Sequence, residues 1–301
     1  MKIVGLLICR NESWVLGLSL RVALKWMDEI VILNHGSTDN TMDIIRKVQD
    51  ENPCRVHCSS MVLEEHWNEM EHRQLTLEWG RKVGGTHFAI IDADEVLTSN
   101  LLTPGGFRRI SSIRTWIERL EREQVLDIPM VPCWRSLFHY RNDDSVWSRA
   151  MLTLAFRDSP DLFWRKETDG YCHHARAPYG TDNKPLVMPV REHGGGGVMH
   201  LQFANWRRLK AKHAWYKMTE AIRWPDRMTM LTLDAKYNEA LDERRINISK
   251  CPDEWWLGYK DIVGHVAHDG VPWQSQECKR LWDLHGPEAF KGLNLWDVID
   301  D

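Results

Sequence analysis

An α/β fold, with a mostly parallel sheet flanked by helices, is predicted by two features of the first 100 residues. Short apolar runs alternate with segments of helical length, as crossover units between parallel strands require. Three of the apolar runs end in polar clusters: Arg10-Asn11-Glu12, Asn34 to Asp39, and Asp92 to Glu95. Open α/β sheets bind ligands beyond the carboxyl ends of their strands, so this convergence marks a site.

The elements follow in order. Residues 3–9 (Ile-Val-Gly-Leu-Leu-Ile-Cys) form a continuous apolar run of strand length, and residues 13–27 a helix that Asn11 or Ser13 could cap. Residues 29–33 are a second buried strand, followed by the polar turn Asn34-His35-Gly36-Ser37-Thr38-Asp39-Asn40-Thr41. Ile44, Ile45 and Val48 continue as a short helix with Asn40 and Asp43 at capping-box spacing. A third strand is expected at 55–59, a helix at 69–83 and a fourth strand at 88–91. After Pro104 the pattern predicts an amphipathic helix at 107–121, strands at 124–131 and 151–156, a loop-rich stretch at 158–197, a short strand at 198–201 and a helix at 204–222. One domain with a C-terminal elaboration is expected: residues 1–222, divided into halves at 1–100 and 101–222, and a Trp-rich, mainly helical elaboration over 223–301 packed on the same domain.

The chain has 301 residues, enough for one large domain or two modest ones. With 43% hydrophobic and 27% charged residues it is neither disordered, collagenous nor a coiled coil. The balance of 39 basic and 43 acidic residues gives no global attraction to nucleic acid or anionic lipid. No apolar run approaches the roughly 18–20 residues needed to span a bilayer. The N-terminus reads as a strand and not as a signal peptide, so no stable membrane insertion and a cytoplasmic location are expected. Seven cysteines without paired Cys-x-x-Cys spacing read as reduced and mostly buried. Cys172-His173-His174 lacks further zinc ligands at local spacing. Of 16 tryptophans, eight lie after residue 200; Trp255, Trp256, Trp273 and Trp282 could stack on a sugar or a base, or pack the tail.

Absent motifs narrow the chemistry. No G-x-G-x-x-G follows the first strand, and no P-loop, H-E-x-x-H or G-x-S-x-G occurs. Asp92 and Asp94, with Glu95 beside them, instead end a buried strand in three carboxylates. Such a cluster costs desolvation and self-repulsion unless a cation or strong donors compensate. Hard oxygen ligands of this kind suit Mg²⁺ or Mn²⁺, which commonly take one or two carboxylates plus substrate phosphates.

Arg10-Asn11-Glu12 after the first strand, Gly36-Ser-Thr-Asp-Asn-Thr41 after the second and Asp92-Ala-Asp94 after the fourth resemble glycosyltransferase family 2 over roughly residues 1–100. The resemblance implies a Rossmann-like GT-A fold and a hexosyltransferase-like, inverting enzyme. Such an enzyme moves a sugar from a nucleotide diphosphate sugar to a hydroxyl acceptor with Mn²⁺ or Mg²⁺. It implies that Asp92 and Asp94 hold the metal, with Asp94 catalytic, and that a distant His joins them. His200 is the candidate, after Gly194–Gly197, whose flexibility would let the backbone fold over a diphosphate. Arg10, Asn11, Glu12, Asn34, Ser37, Asp39, Arg73, Asp92 and Lys212 would bind the nucleotide sugar. The family commonly has two Asp before the Gly-Ser, where this chain has Asn34-His35; an Asn side chain still pairs with a pyrimidine edge, which keeps a UDP-sugar in place as donor. An inverting reaction needs a base; Asp143, Asp144, Glu167, Asp169, His173 and His174 are available, and Asp169 in the Lys166–Gly170 turn is chosen.

The acceptor is left open among a glycan, a protein and a modified base of viral DNA. Two rival readings have other signatures. A sugar nucleotidyltransferase normally carries a Gly-rich basic loop after the first strand, which Arg10-Asn11-Glu12 is not. A non-catalytic carbohydrate- or nucleic-acid-binding module would not depend on Asp94.

Overall fold

A computed structural model describes residues 1–61, 68–103, 112–165, 176–182, 184–188, 195–266 and 270–300. Within these the chain runs β1 (Ile3–Cys9), α1 (Leu16–Ala23), β2 (Glu29–His35), α2 (Thr41–Glu51), β3 (Val56–Met61), α3 (Glu69–Lys82), β4 (His87–Asp92) and β5 (Glu95–Leu97). It continues with α4 (Ile113–Glu118), β6 (Val125–Pro132), β7 (His139–Arg141), β8 (Met151–Arg157), β9 (Leu186–Val187) and β10 (Val198–His200). The last elements are α5 (Trp206–Arg223), α6 (Met230–Asn238), β11 (Ile248–Lys250) and α7 (Trp273–His285).

Among the described residues nine strands form one sheet in the order β3-β2-β1-β4-β8-β6-β10-β5, with β9 beside β6. The first four are parallel, as their apolar runs predict. The far half is mixed: β8 runs antiparallel to β4 and β6, β6 and β10 are parallel, and β5 closes the edge antiparallel to β10. The expected Rossmann-like α/β sheet flanked by helices is therefore what the chain adopts. β7 and β11 pair separately.

The period-2 geometry of the strands sorts the core into two faces. Ile3, Leu7, Ile30, Ile32, Ala89 and Ile91 pack on one side with Leu16 and Leu20 of α1, Ile45 and Val48 of α2, and Ile113 and Ile117 of α4. Val4, Leu6, Val31, Phe88 and Ile90 pack on the other with Met70 and Leu77 of α3. β1 is buried at every position, which explains why its sequence shows no polar alternation.

Several expectations need correction. The first helix is half the predicted length and is capped by neither Asn11 nor Ser13; Asn11 instead takes a left-handed backbone (φ 54°), a region Asn tolerates. Asn40 sits at the N-cap of α2 without a side-chain bond; Asp39 Oδ1 accepts from the Thr41 amide (3.0 Å) in its place. The helix expected over 107–121 is described only as Ile113–Glu118. Gly196 and Gly197 are packed closely against the chain itself. A Cβ on Gly197 would overlap the Pro129 carbonyl oxygen, and one on Gly196 (φ +94°) would overlap Thr98 Oγ1. These glycines let β10 seat against its neighbours; Gly194 lies outside the described residues.

The tail tryptophans are mostly core. Trp255 and Trp256 are buried with Trp14, Tyr259 and Cys133, while Trp282 stacks on Phe290 (5.9 Å) in the cluster between α5 and α7. For Trp255, Trp256 and Trp282, of the two alternatives, packing of the tail is the one the structure shows. A polar clamp ties the same region together. The fully buried Lys217 of α5 donates to Asp234 Oδ1 (2.7 Å), Asn238 Oδ1 (2.8 Å) and the Asn294 carbonyl (2.7 Å), and lies 3.7 Å from the centre of the Trp296 ring. Removing one partner of a buried ion pair strands the other. Lys217→Ala is expected to lower stability by about 3–5 kcal/mol in chemical denaturation, with the midpoint shifting at a similar slope.

Candidate functional site

The polar turns after β1 and β2 are joined to each other. Asn11 Oδ1 accepts from the Thr38 and Asp39 amides (2.7 and 3.3 Å), and the Asn11 amide donates to Ser37 Oγ (2.9 Å). The Glu12 amide donates to Thr41 Oγ1 (2.9 Å) and the Ser13 amide to Asp39 Oδ2 (3.1 Å). Ser37 Oγ donates to Asn34 Oδ1 (2.5 Å), and Asn34 Nδ2 donates to Ser60 Oγ of β3 (3.3 Å). The short oxygen-bearing side chains of Gly36-Ser-Thr-Asp-Asn-Thr41 thus satisfy the amides that leave β1. Asn11, Asn34, Ser37 and Asp39 build this frame; they do not line the cavity it supports.

That cavity, about 450 Å³, lies beyond the carboxyl ends of β1 and β4. Of the residues singled out in the sequence it brings together Arg10, Glu12, Arg73, Asp92, Asp94, His200 and Lys212. The backbone explains how distant residues meet. His200 of β10 lies opposite Glu95 of β5, and the Leu201 amide donates to the Asp94 carbonyl (2.7 Å), which fixes His200 beside Asp94.

Each carboxylate is met by a cation. Asp94, buried, has Oδ1 3.5 Å from His200 Nε2 and Oδ2 3.3 Å from Lys212 Nζ. Arg176 donates to both Glu95 oxygens (2.5 and 2.8 Å), to Asp92 Oδ2 (3.3 Å) and to the Ile90 carbonyl (2.6 Å). Arg73 of α3 holds Glu69 (2.5 Å) and reaches Asp92 Oδ1 (3.5 Å). Asp92 remains the most open of these, with 40% of its side chain accessible.

The charges shift one another's proton affinities. Burial alone opposes ionisation of Asp94, yet Lys212 and His200 outweigh it and hold the carboxyl well below its usual range. Burial likewise works against the charge on Lys212, but Asp94 outweighs it and pushes the ammonium up. Glu12 goes the other way. Burial first, then the charge of Asp94, raise it to about 7, against the pull of Lys212, Arg208 and the Trp14 indole N–H that donates to it (2.7 Å).

Sequence reasoning missed several members. Arg176 carries no motif and sits in the loop-rich stretch; only the unbalanced acidity of Asp92–Glu95 pointed to such a cation. Trp147, Gln202, Trp215, Tyr216 and Gln274 also line the cavity, and Trp273 lies under the Arg10 guanidinium (4.7 Å to the ring centre). Asp143 binds Arg141 (2.6 Å) and Ser148 Oγ (2.9 Å), and Asp144 pairs with Arg149, so both are engaged outside the cavity lining. Glu167, Asp169, Cys172, His173 and His174 lie outside the described residues.

No protein-family model matches the chain, and no curated protein matches it. Among solved structures, S. aureus TarS 1–349 is similar at 12% identity over 97% of this chain and 83% of that chain, with a TM-score of 0.42. The same part of TarS in complex with UDP gives 11% identity over 99% and 85%, with a TM-score of 0.39. Glucosyl-3-phosphoglycerate synthase from Mycobacterium tuberculosis, in complex with Mg²⁺ and UDP, gives 21% identity over 32% of this chain and 34% of that chain, with a TM-score of 0.23. Among the described residues no helix is long and apolar enough to cross a membrane.

The raised affinity of Glu12 makes a pH-dependent contribution to stability. The folded carboxyl keeps its proton to about 7, whereas the unfolded one releases it near 4.5, so the folded state binds the extra proton between these values. Its contribution is complete below pH 4.5 and disappears as pH rises through 7. Glu12→Gln, which retains an acceptor for Trp14, is expected to flatten the melting temperature over that interval and to exceed wild type at pH 8 in thermal denaturation of metal-free protein.

Proposed function

We propose that this chain is a metal-assisted glycosyltransferase of the GT-A type, moving a sugar from a nucleotide diphosphate sugar, with a UDP-sugar as first candidate, to a hydroxyl acceptor with inversion. The observation that carries this reading is the pair Asp92 and Asp94. Both stand at the carboxyl end of β4, open to a cavity that Arg10, Arg73, Lys212 and His200 also line. The three motifs that resemble family 2 meet around that cavity or directly brace it.

The donor set suits Mn²⁺ or Mg²⁺. Asp94 Oδ1 and His200 Nε2 are 3.5 Å apart; two ligands on one octahedral ion with bonds of about 2.1 Å would be roughly 3 Å apart. Among the described residues no three His, Cys, Asp or Glu side chains converge tightly enough to hold an ion by themselves. An ion held there would need substrate phosphates and water to complete its shell. Asp92, Asp94 and His200 would hold it, and when bound it supplies Lewis-acid neutralisation of the leaving diphosphate.

The chain's own residues do the rest. Lys212 adds a fixed positive charge beside Asp94, where negative charge builds as the sugar–phosphate bond breaks. Arg73 and Arg176 hold Asp92 and Glu95 in place. Arg10 and Glu12 face the nucleotide, kept there by Asn11, Asn34, Ser37 and Asp39. Asp169 takes the acceptor proton as the hydroxyl oxygen attacks the anomeric carbon.

The test is turnover of a panel of nucleotide sugars with Mn²⁺, read as nucleoside diphosphate release. Asp94→Asn is expected to lower turnover by about 100-fold or more, and excess chelator to abolish it. Undiminished activity in chelator would remove the metal role. Asp169→Asn is expected to retain donor binding in a thermal shift while losing transfer; normal transfer would eliminate it as base.

A further inference from the structure

The carboxylates of the cavity already have partners within the chain. Arg73 holds Glu69 (2.5 Å), Arg176 holds Glu95 (2.5 Å) and Lys212 holds Asp94 (3.3 Å), while Asp92 is shared between Arg73 and Arg176 (3.5 and 3.3 Å). Arg10 lines the same space, above the Trp273 ring. Among the described lining residues four cations therefore face these four carboxylates. Glu12, raised to about 7, adds only part of a further negative charge at neutral pH. The floor of the cavity is close to neutral.

Neutrality bears directly on a divalent ion, which gives up its hydration only to a strongly negative set of oxygens. Asp94 is the most enclosed of the three residues that would hold one, and its two oxygens face His200 Nε2 and Lys212 Nζ. Lys212 cannot simply drift off. It projects from the second turn of α5, and its side chain is largely buried. An ammonium and a divalent ion on one enclosed carboxylate repel each other with little screening from salt or water. A nucleoside diphosphate reverses the sign of that effect. Its oxygens accept from Lys212 and coordinate the ion together, and they carry more negative charge than one ion cancels. The ammonium that opposes the ion alone thereby supports the pair.

We propose that Lys212 makes ion uptake conditional on the diphosphate: seated on Asp94, its ammonium bars a bare divalent cation and admits one that arrives with a nucleoside diphosphate. The inference rests on the metal-assisted reading above and adds to it the order of loading and the residue that sets it. Linkage makes the coupling reciprocal, so the ion raises nucleotide affinity by the same factor.

The experiment is calorimetric titration of the full chain with Mn²⁺, alone and in saturating nucleotide, with UDP, GDP and ADP taken in turn. Wild type is compared with Lys212→Met, which keeps the length of the side chain and removes its charge, and with Lys212→Arg, which keeps the charge. Melting temperatures serve as the folding control. In wild type the best-bound nucleotide is expected to raise Mn²⁺ affinity by about 100-fold. Lys212→Met is expected to bind Mn²⁺ alone about tenfold more tightly than wild type, with the enhancement by nucleotide reduced by at least that factor. Lys212→Arg is expected to retain the wild-type coupling. A merely structural role for Lys212 would instead weaken Mn²⁺ binding in every arm of the Met variant. A folded Lys212→Met that binds Mn²⁺ alone no better than wild type overturns the proposal. So does a wild type that binds Mn²⁺ equally with and without every nucleotide, a measurement that needs no variant. Absence of Mn²⁺ binding in all arms overturns the inference together with the metal role. Coupled binding without diphosphate release from any nucleotide sugar removes the transferase reading and leaves this inference standing.

Discussion

The arrangement depends on placing several carboxylates at the end of a buried strand. Asp92, Asp94 and Glu95 follow apolar β4 directly, so their charges must be compensated within a few ångströms or the sheet edge would repel itself apart. The compensation comes from three parts of the chain remote in sequence: Arg73 from α3, Arg176 from the segment after β8, and Lys212 from α5. The electrostatic demand of three acids within four residues thereby organises the meeting of helix, loop and sheet.

A second layer of order comes from neutral groups. The Asn11–Ser37–Asn34–Ser60 chain of hydrogen bonds crosses from β1 to β3 without a formal charge, and Asp39 spans the same loops. It fixes the backbone at Arg10 and Glu12 more rigidly than exposed ion pairs could, since short side chains lose little rotamer freedom on ordering. The string Gly36–Thr41 therefore reads in structural terms as a brace, and its value to a ligand is indirect.

The parallel half of the sheet was legible because its strands are buried on both faces and their apolar runs are unbroken. The carboxylate cluster was legible because three acids after such a run have few physical excuses. The frame role of Asn11 and Ser37 was not legible, since a side chain that binds a neighbouring loop and one that binds a ligand have the same composition. Nor was the mixed half: β5, β9 and β10 are three residues or shorter and are held by pairing with remote partners, a tertiary effect that local periodicity does not carry. The tail tryptophans were ambiguous for a related reason, since an indole in a core and an indole at a pocket differ only in what lies over them. Trp255 and Trp273 fell on opposite sides of that line.

Trp273 and Gln274 come from the beginning of α7, some 180 residues after Asp94. A ribosome-bound chain that has released everything up to α6 already owns the acids and their counter-cations, yet it lacks one wall of the chamber. Completion of the pocket consequently waits for α7, and a product cut before it would present its charged floor directly to bulk water.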